Sequence, residues 1–353
     1  MQHPVDIARL RVASHRLSDT SFGSPAEVVA WMGAMQAQDF NMVKWAVGVR
    51  SPGCGEAAVQ EAFDRGDILR THVLRPTWHL VPAANIRWML ELTAPRIRAS
   101  MRARDRELGL DQATIVRSNE VMIRALEGGH AMTREEIGMA LKGAGIAIDA
   151  ARLYHIAMRA EIDGVVCSGP VRGGKQTCAL LAERAPKART LPREEALERL
   201  ARSYFTSHAP ASTVDFAWWS GLTMGDARAG AEALRGDFVV EKIEGLQYLI
   251  PQNLRAGGDG SGLWLLPAFD EYIVAYRDRR AVLCASHHAR AVSSNGIFRP
   301  VIVENGVATG LWRKTTSRKN PVAVDFFAGQ PDVSTSDTLE RAVSRFKMFH
   351  GIQ

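Results

Sequence analysis

The sequence predicts a mostly α-helical protein with β-structure (α+β): three tandem winged-helix motifs and then a small C-terminal β-barrel. Three times along the chain, helical periodicity gives way to a pair of short extended segments, the order of elements in a winged helix. A Gly-Asp or Asp-Gly step ends the last helix each time, at 66–67, 163–164 and 236–237. The repeat is one of architecture rather than of sequence. The predicted domains are 1–95, 96–190, 191–255 and 263–353.

The first motif begins with a well-marked helix. Ser-Pro-Ala-Glu at 24–27 is a capping box with proline at the first helical position, and apolar residues then recur at helical spacing as far as Met35. The predicted helices of this motif span 6–17, 24–35 and 56–63, and segment 68–81 follows as extended chain.

The second and third motifs repeat this order. Thr-Arg-Glu-Glu at 133–136 is another capping box. Loop 169–175 reads as a wing, with glycines for the turn and with Arg172 and Lys175 as cations for phosphate. Predicted helices lie at 137–144, 153–160, 192–205, 212–219 and 223–234, and predicted strands at 165–168, 176–181, 238–243 and 246–250.

The C-terminal region carries short strand candidates instead of helices. Asn305-Gly306 is a strong hairpin turn, and five short strands with one tight hairpin suggest a small barrel. A flexible linker at 255–262 precedes this region, and an amphipathic helix at 337–349 closes it. The strand candidates are 263–275, 281–286, 298–304, 307–312 and 322–327.

Composition restricts the class of protein. The chain has 353 residues, of which 46% are hydrophobic, and no run of about 18 apolar residues that would cross a membrane. The N-terminus lacks the apolar core of a secretory signal. Four scattered cysteines fit a reducing compartment. We therefore expect a cytoplasmic protein, associated with the nucleoid if it binds DNA.

The charge permits a nucleic-acid partner without requiring one. The net charge is +6 and the pI is about 9.3. Each of two basic clusters is either a phosphate-binding surface or a solvated face. These clusters are Arg96, Arg98, Arg102, Arg104 and Arg106, and Arg313, Lys314, Arg318 and Lys319.

Several catalytic chemistries lack their usual motifs. No Gly-x-Ser-x-Gly elbow occurs, and no cysteine has a nucleophile signature. His287 and His288 are adjacent, so they cannot share one helix face, and the cysteine spacing does not suit zinc. We expect neither a metal nor a cofactor.

Gln36 and Gln38 are the most distinctive candidates for a functional role. Residues two apart diverge by about 200° on a helix but share one face of an extended segment. The pair can therefore act together only if the chain has left the preceding helix. The alternative is that both glutamines satisfy backbone groups at a helix end.

Segment 68–81 offers candidate contacts to DNA. It is basic and rich in His and Thr, which suits phosphate or base contact in a groove. The alternative for the histidines is a surface or strand-packing role. The candidates are Thr71, His72, Arg75, Thr77 and His79.

Four stretches, MQAQDF, KWAVGVR, THVLRPTWHLV and LLPAFDEYIVAYRDR, resemble the AlkZ-like bacterial DNA glycosylases, which act on alkylated bases and interstrand crosslinks. The resemblance implies three winged helices and a C-terminal barrel around a positively charged channel. It implies that Gln36 and Gln38 form the catalytic pair, since the family uses Gln-x-Gln or Gln-x-Asp. Gln38 follows the crosslink-acting branch. The family is monofunctional, so no lyase step is expected.

The resulting hypothesis is a monomeric, monofunctional DNA glycosylase that acts on duplex DNA. Its substrates would be cationic N7- or N3-alkylated purines, with crosslink unhooking as a further candidate activity. Arg277, Arg313 and Lys314 are additional candidate DNA contacts. Asp270 and Asp278 either pair with Arg277 and Arg279 as a structural cluster or contact DNA. A non-catalytic DNA-binding regulator and a degenerate glycosylase kept as a lesion sensor stay open as alternatives.

Overall fold

The computed structural model describes residues 6–18, 21–255, 262–329 and 333–352, and has a mixed fold of helices and short strands. The chain divides into two compact units. The first unit comprises Met1–Gln60, Leu197–Trp219 and Thr223–Gln353, and the second comprises Glu61–Ala196 and Ser220–Leu222. Residues 256–261 of the predicted linker and residues 1–5 of the N-terminal segment lie outside the described residues. No described helix is long and apolar enough to cross a membrane.

The N-terminal part of the chain forms α1 (Ile7–Ser14), α2 (Pro25–Met32), β1 (Met35–Gln36), α3 (Phe40–Gly48) and α4 (Glu56–Arg65). The Ser24 side chain caps α2 by accepting from the Glu27 N–H at 3.3 Å, as predicted. In a capping box the Glu27 carboxylate would accept from the Ser24 N–H. Here it accepts from the Gly23 N–H instead, at 2.8 Å. Helix α3 was not predicted, and the Asp39 side chain caps it.

The second unit begins with the hairpin β2 (Ile68–Val73) and β3 (Thr77–Pro82), followed by α5 (Ile86–Glu107). Thr71 lies opposite His79 in this hairpin, and His72 lies opposite Trp78. Helix α5 was not predicted, and it contains Pro95. Proline removes one helical hydrogen bond, yet α5, which is 22 residues long, continues through it.

The rest of the second unit forms α6 (Gln112–Leu126), β4 (Met132–Thr133), α7 (Arg134–Gly143), α8 (Ala150–Ile162), β5 (Val166–Ser168), β6 (Thr177–Leu180) and α9 (Leu181–Arg184). The three strands make a sheet in the order β4-β6-β5. Its core contains apolar residues from all three longer helices, including Leu126, Leu141 and Ala160, none of them exposed. The capping box of Thr133 and Glu136 is confirmed.

The same order of elements follows once more, in α10 (Arg193–Ser207), α11 (Thr213–Ser220), α12 (Met224–Glu232), β7 (Phe238–Ile243) and β8 (Leu246–Pro251). Ala211 makes an isolated antiparallel bridge to Leu249. Glu244 and Gly245 turn the hairpin with positive φ values of 49° and 82°. The predicted sequence of helices followed by a strand pair is therefore present here.

The C-terminal region forms β9 (Leu263–Leu266), α13 (Glu271–Val274), α14 (His288–Ala291), β10 (Val301–Glu304), β11 (Val307–Lys314), β12 (Val322–Phe326) and α15 (Val333–Phe349). Its four strands pair antiparallel in the order β12-β11-β10-β9. The hairpin turn at Asn305-Gly306 is confirmed, with φ values of 50° and 88°.

The predicted closed barrel is wrong for the described residues, where the C-terminal sheet is open. Two predicted strands account for the error. Strand β9 ends at Leu266, before Pro267, and the rest of predicted strand 263–275 contains α13. Tyr272, Ile273 and Val274 are all buried, so no alternation distinguished helix from strand there. Predicted strand 281–286 contains turns and the start of a 3₁₀ helix.

Candidate active site

The two glutamines lie in the link between α2 and α3. Gly33 ends α2 with a φ of 75°. A Cβ atom on Gly33 would lie 2.4 Å from the Ser203 Oγ, so both the backbone and the packing require glycine here. The chain then runs extended through β1 to Gln36 and bends at Gln38, before Asp39 caps α3. The pair has left the helix, as joint action requires.

The two glutamines differ in burial. Gln36 is only 7% exposed, whereas Gln38 is exposed. Asp39 holds the start of α3 by accepting from the N–H groups of Asn41 and Met42, both at 3.0 Å. Gln38 therefore stands directly between a pinned strand and a capped helix, with its side chain accessible to solvent.

Glu271 holds the Gln36 backbone. Its Oε1 accepts from the Gln36 N–H at 2.6 Å, and its Oε2 accepts from the Trp219 indole N–H at 2.9 Å. The His208 Nε2 lies 3.5 Å from the same Oε2. Glu271 is 1% exposed, so this carboxylate depends on nearby donors in place of water.

A buried ion pair lies beside Glu271 in the sequence. The Arg50 guanidinium donates to both Asp270 oxygens, at 2.9 and 2.8 Å, and neither side chain is exposed. Asp270 also caps α13 by accepting from the Tyr272 N–H at 2.9 Å. Arg50 further donates to the carbonyls of Ala46 and His15. The pair thus connects the end of α3 to the start of α13.

His15 is neutral in this network. The Tyr276 hydroxyl donates to the His208 carbonyl at 2.8 Å, so the His15 Nε2, 2.7 Å away, must donate to Tyr276. The His15 Nδ1 then accepts from Arg50 at 3.4 Å. Burial and the neighbouring His208 and Arg50 hold the pKa of His15 well below its ordinary value. Burial also lowers the pKa of His208.

Lys44, the lysine nearest to the glutamines in the sequence, is held in an ion pair. Its Nζ lies 2.5 Å from the Glu56 Oε1, and Lys44 is 7% exposed. The His350 Nδ1 lies 2.7 Å from the other Glu56 oxygen. The hydrogen bond from His350 and the contact with Lys44 lower the pKa of Glu56 to about 2, against an opposing effect of burial.

In the second unit, three of the five candidate DNA contacts of the hairpin are buried. Thr71, His72 and His79 are 0%, 2% and 0% exposed. The His72 Nδ1 lies 2.6 Å from the Glu161 Oε2, and the His79 Nδ1 lies 2.9 Å from the Thr77 carbonyl. His72 and His79 therefore pack within the hairpin, which is the alternative to DNA contact that the sequence left open. Arg75 and Thr77, near the hairpin turn, are half-buried.

The predicted wing of the second unit presents its two cations to solvent. Arg172 and Lys175 pair through their backbones around Gly173 and Gly174, which have φ values of 57° and 76°. Both side chains are exposed, and the Arg172 guanidinium contacts Glu136.

The remaining candidate DNA contacts belong to the first unit. Arg277, Arg313 and Lys314 are exposed, the last two at the end of β11. The predicted pairing of Asp270 and Asp278 with Arg277 and Arg279 is wrong. Asp270 pairs with Arg50, and Asp278 pairs with Arg280 at 2.7 Å. The structural role proposed for Asp270 fits its complete burial.

Comparison with known proteins identifies the family. The family model described as DNA glycosylase AlkZ-like matches residues 29–349. The chain belongs to this family. It is 24% identical over 308 residues to the interstrand DNA cross-link repair glycosylase of Streptomyces sahachiroi, with 82% of each chain covered. The solved structure of the Streptomyces sahachiroi DNA glycosylase AlkZ superposes with a TM-score of 0.82 at 20% identity, covering 99% of this chain and 98% of that one.

Sequence reasoning missed the residues that hold residues 33–39, the glutamine link between α2 and α3, in place. Glu271 lay inside a recognised motif but was read as part of a strand. Arg50, His208 and Trp219 carried no local signal, because their partners are 35 to 220 residues away in the sequence. Only burial of so many polar side chains in one place reveals the network.

Proposed function

We propose that this chain is a monofunctional DNA glycosylase that hydrolyses the N-glycosidic bond of cationic, N7- or N3-alkylated purines, and that interstrand crosslinks joined through such bases are substrates too. Gln36 and Gln38 position the attacking water. The observation that carries the proposal is the glutamine link itself, pinned through Glu271 on one side and capped by Asp39 on the other.

The reaction needs little acid catalysis. A purine alkylated at N7 or N3 already carries a positive charge. Its C1′–N9 bond therefore breaks with the electron pair passing to the base, which leaves as a neutral molecule. The sugar develops oxocarbenium character, as in glycoside cleavage. The water oxygen bonds to C1′, and a water proton is released to solvent. A glutamine can accept from that water with its oxygen and donate with its NH₂, so it needs no shifted pKa.

The monofunctional assignment is supported by Lys44. A lyase step requires an amine that is free to form a Schiff base. The Lys44 ammonium is buried against Glu56, whose lowered pKa keeps it a carboxylate at neutral pH. We therefore assign no lyase role to this lysine.

The domain organisation is also part of the proposal. We interpret the stretches within 1–95, 96–190 and 191–255 as winged helices, since each has helices followed by a strand hairpin. The partner is double-stranded DNA. Arg172 and Lys175 on the second wing, with Arg277, Arg313 and Lys314, supply exposed cations for phosphate.

The test is base release from a duplex oligonucleotide that carries one N7-methylguanine. We expect free 7-methylguanine and an intact abasic strand, cut only after hot alkali. Strand cleavage at neutral pH that borohydride traps as a protein adduct would contradict the monofunctional mechanism. Binding without base release, for every cationic lesion tried, would favour the non-catalytic alternative.

A further inference from the structure

We propose that Glu271 is the positioning residue of the active site, which sets the direction of Gln36 by fixing its peptide group. The inference rests on the proposed function and extends it to a residue 235 positions away in the sequence. Glu271 acts through Gln36 and touches neither substrate nor water in this role.

The contact is to the backbone rather than to the glutamine side chain. The Glu271 Oε1 accepts from the Gln36 N–H at 2.6 Å, and hydrogen bonds to an ionised acceptor are shorter and stronger than neutral ones. Fixing the peptide N–H fixes the plane from which the Gln36 side chain leaves the backbone. A catalytic amide that grips one water must be held closely, because a misplacement of about 1 Å can cost about 10²-fold in rate.

Glu271 is itself rigidly held. It is the first residue of α13, which Asp270 caps, and Arg50 clamps Asp270 with two hydrogen bonds. The second oxygen of Glu271 is occupied by the Trp219 indole N–H at 2.9 Å. Both oxygens therefore have a donor fixed in direction, and the carboxylate cannot turn without losing one of them.

This arrangement requires a carboxylate rather than an amide. A carboxylate only accepts hydrogen bonds, whereas glutamine has one accepting oxygen and one donating NH₂ group. In Glu271→Gln, the NH₂ would face either the Gln36 N–H or the Trp219 N–H, and two donors would oppose each other. Trp219→Phe removes one of these donors, so the amide of Glu271→Gln can then direct its oxygen to Gln36.

The experiment compares Glu271→Gln, Trp219→Phe and the double variant in the full-length protein. Glu304→Gln is the matched control, because it makes the same chemical change at a carboxylate that accepts from the Thr335 hydroxyl and not from the Gln36 N–H. Three readouts are taken: the single-turnover rate of base release, the Kd for lesion-containing duplex, and the Gln36 amide signal in ¹⁵N-glutamine-labelled protein. The third readout does not depend on activity.

We expect Glu271→Gln to shift the Gln36 amide signal and to lower the rate by about 10-fold or more, with the Kd within about 2-fold of wild type. Trp219→Phe removes one donor from Glu271 but leaves the Gln36 contact, so it should lower the rate less than Glu271→Gln does. The double variant should be faster than Glu271→Gln alone. Such recovery is the non-additivity of groups in contact. A loss of folding stability alone would neither shift the Gln36 amide signal nor lower the rate of the folded protein.

Three results would overturn the inference. The Gln36 amide signal could stay in place in Glu271→Gln, the rate could match that of Glu304→Gln, or the double variant could be as slow as the slower single one. If wild type releases base and Glu271→Gln does so equally well, the inference fails while the proposed function stands. If wild type releases no base from any cationic lesion, both fail.

Discussion

Arg50 and Asp270 form a two-pronged ion pair, with N–O distances of 2.9 and 2.8 Å, in which neither side chain has any exposed surface. The pair joins the residue two positions after α3 to the residue that caps α13. The glutamine link lies just before α3, and Glu271 lies just after Asp270. The ion pair therefore fastens both segments that define the candidate active site.

Removing one partner of this pair should strongly destabilise the first unit. Asp270→Asn leaves the Arg50 guanidinium buried without a counter-charge, which typically costs about 3–5 kcal/mol. The measurement is the free energy of unfolding in urea. Asp325→Asn is the matched control, because Asp325 forms an exposed ion pair with Arg290 at 2.9 Å, and such pairs contribute about 0–1 kcal/mol. Equal losses for the two variants would contradict this account of the pair.

The buried histidines should make stability fall in mildly acidic solution. The pKa of His15 and the pKa of His208 are lowered by burial, so the unfolded chain takes up protons near pH 6.5 that the folded chain does not. Stability is therefore fully present above the unfolded pKa and decreases as the pH falls through it. The decrease is at most about 1.4 kcal/mol per pH unit for each histidine.

Urea unfolding between pH 7.5 and 5.5 measures this slope. His208→Gln should reduce the slope relative to wild type. A slope in His208→Gln as steep as in wild type would show that other groups carry the pH dependence.

Gly33→Ala should disturb the glutamine link. The φ of 75° is unfavourable for alanine, and the added Cβ would lie 2.4 Å from the Ser203 Oγ. Backbone strain of this kind costs on the order of 1–3 kcal/mol, before the cost of the steric overlap. Gly53→Ala is the control for strain alone, because Gly53 has a φ of 89° but no atom within 4 Å of its Cβ position. Gly33→Ala should lose more stability and, unlike Gly53→Ala, should lose excision activity in the folded protein.

Local patterns predicted local structure well in this chain. The Ser24 cap, the Thr133–Glu136 box and the Asn305-Gly306 turn each depend on residues within three positions of one another, and all three were located correctly. The strand pairs of the second and third motifs were placed within one residue at each end. Gln36 and Gln38 were singled out because Gln-x-Gln follows a marked helix and because the resemblance to the family implies a catalytic pair there, and their catalytic role stays a prediction.

Long-range contacts explain what the sequence did not predict. The barrel was predicted wrongly because the segment that forms α13 was taken for a strand. All four residues of α13 are buried, so the sequence carries no alternation that would separate a helix from a strand there. The partner of Asp270 was sought among Arg277 and Arg279, whereas Arg50 is 220 residues away. Glu271 could not be assigned to Gln36, since no pattern links a carboxylate to a backbone N–H at that separation.

DNA affinity should fall steeply with salt if exposed cations bind phosphate. Each phosphate contact contributes about one unit to the slope of log K against log salt. Lys175→Ala, on the exposed wing of the second unit, should lower that slope by about one. Arg65→Ala removes an exposed arginine that pairs with Asp67 at 2.8 Å, and should leave the slope unchanged. A slope near zero for wild type would contradict phosphate binding by these cations.

The glutamines themselves give the most direct test of the mechanism. Gln36→Ala and Gln38→Ala should each lower the single-turnover excision rate by about 10²-fold, or about 2.7 kcal/mol of activation free energy, as expected for loss of a positioned catalytic group. Binding to undamaged duplex should barely change, because phosphate contacts are made by other residues. Gln38→Asp should keep appreciable activity, since a carboxylate still accepts from water.

The double alanine variant distinguishes one shared water from two separate roles. If both side chains hold the same water, removing the second adds little after the first is lost, because groups that act as a unit are non-additive. If each acts separately, the two losses multiply to about 10⁴-fold. The difference in burial also matters. Gln36→Ala removes a side chain from a residue that is only 7% exposed and so leaves a space in the packing, whereas Gln38→Ala removes an exposed side chain. Unfolding in urea must therefore accompany the rates, and full activity in either folded single variant would remove that glutamine from the mechanism.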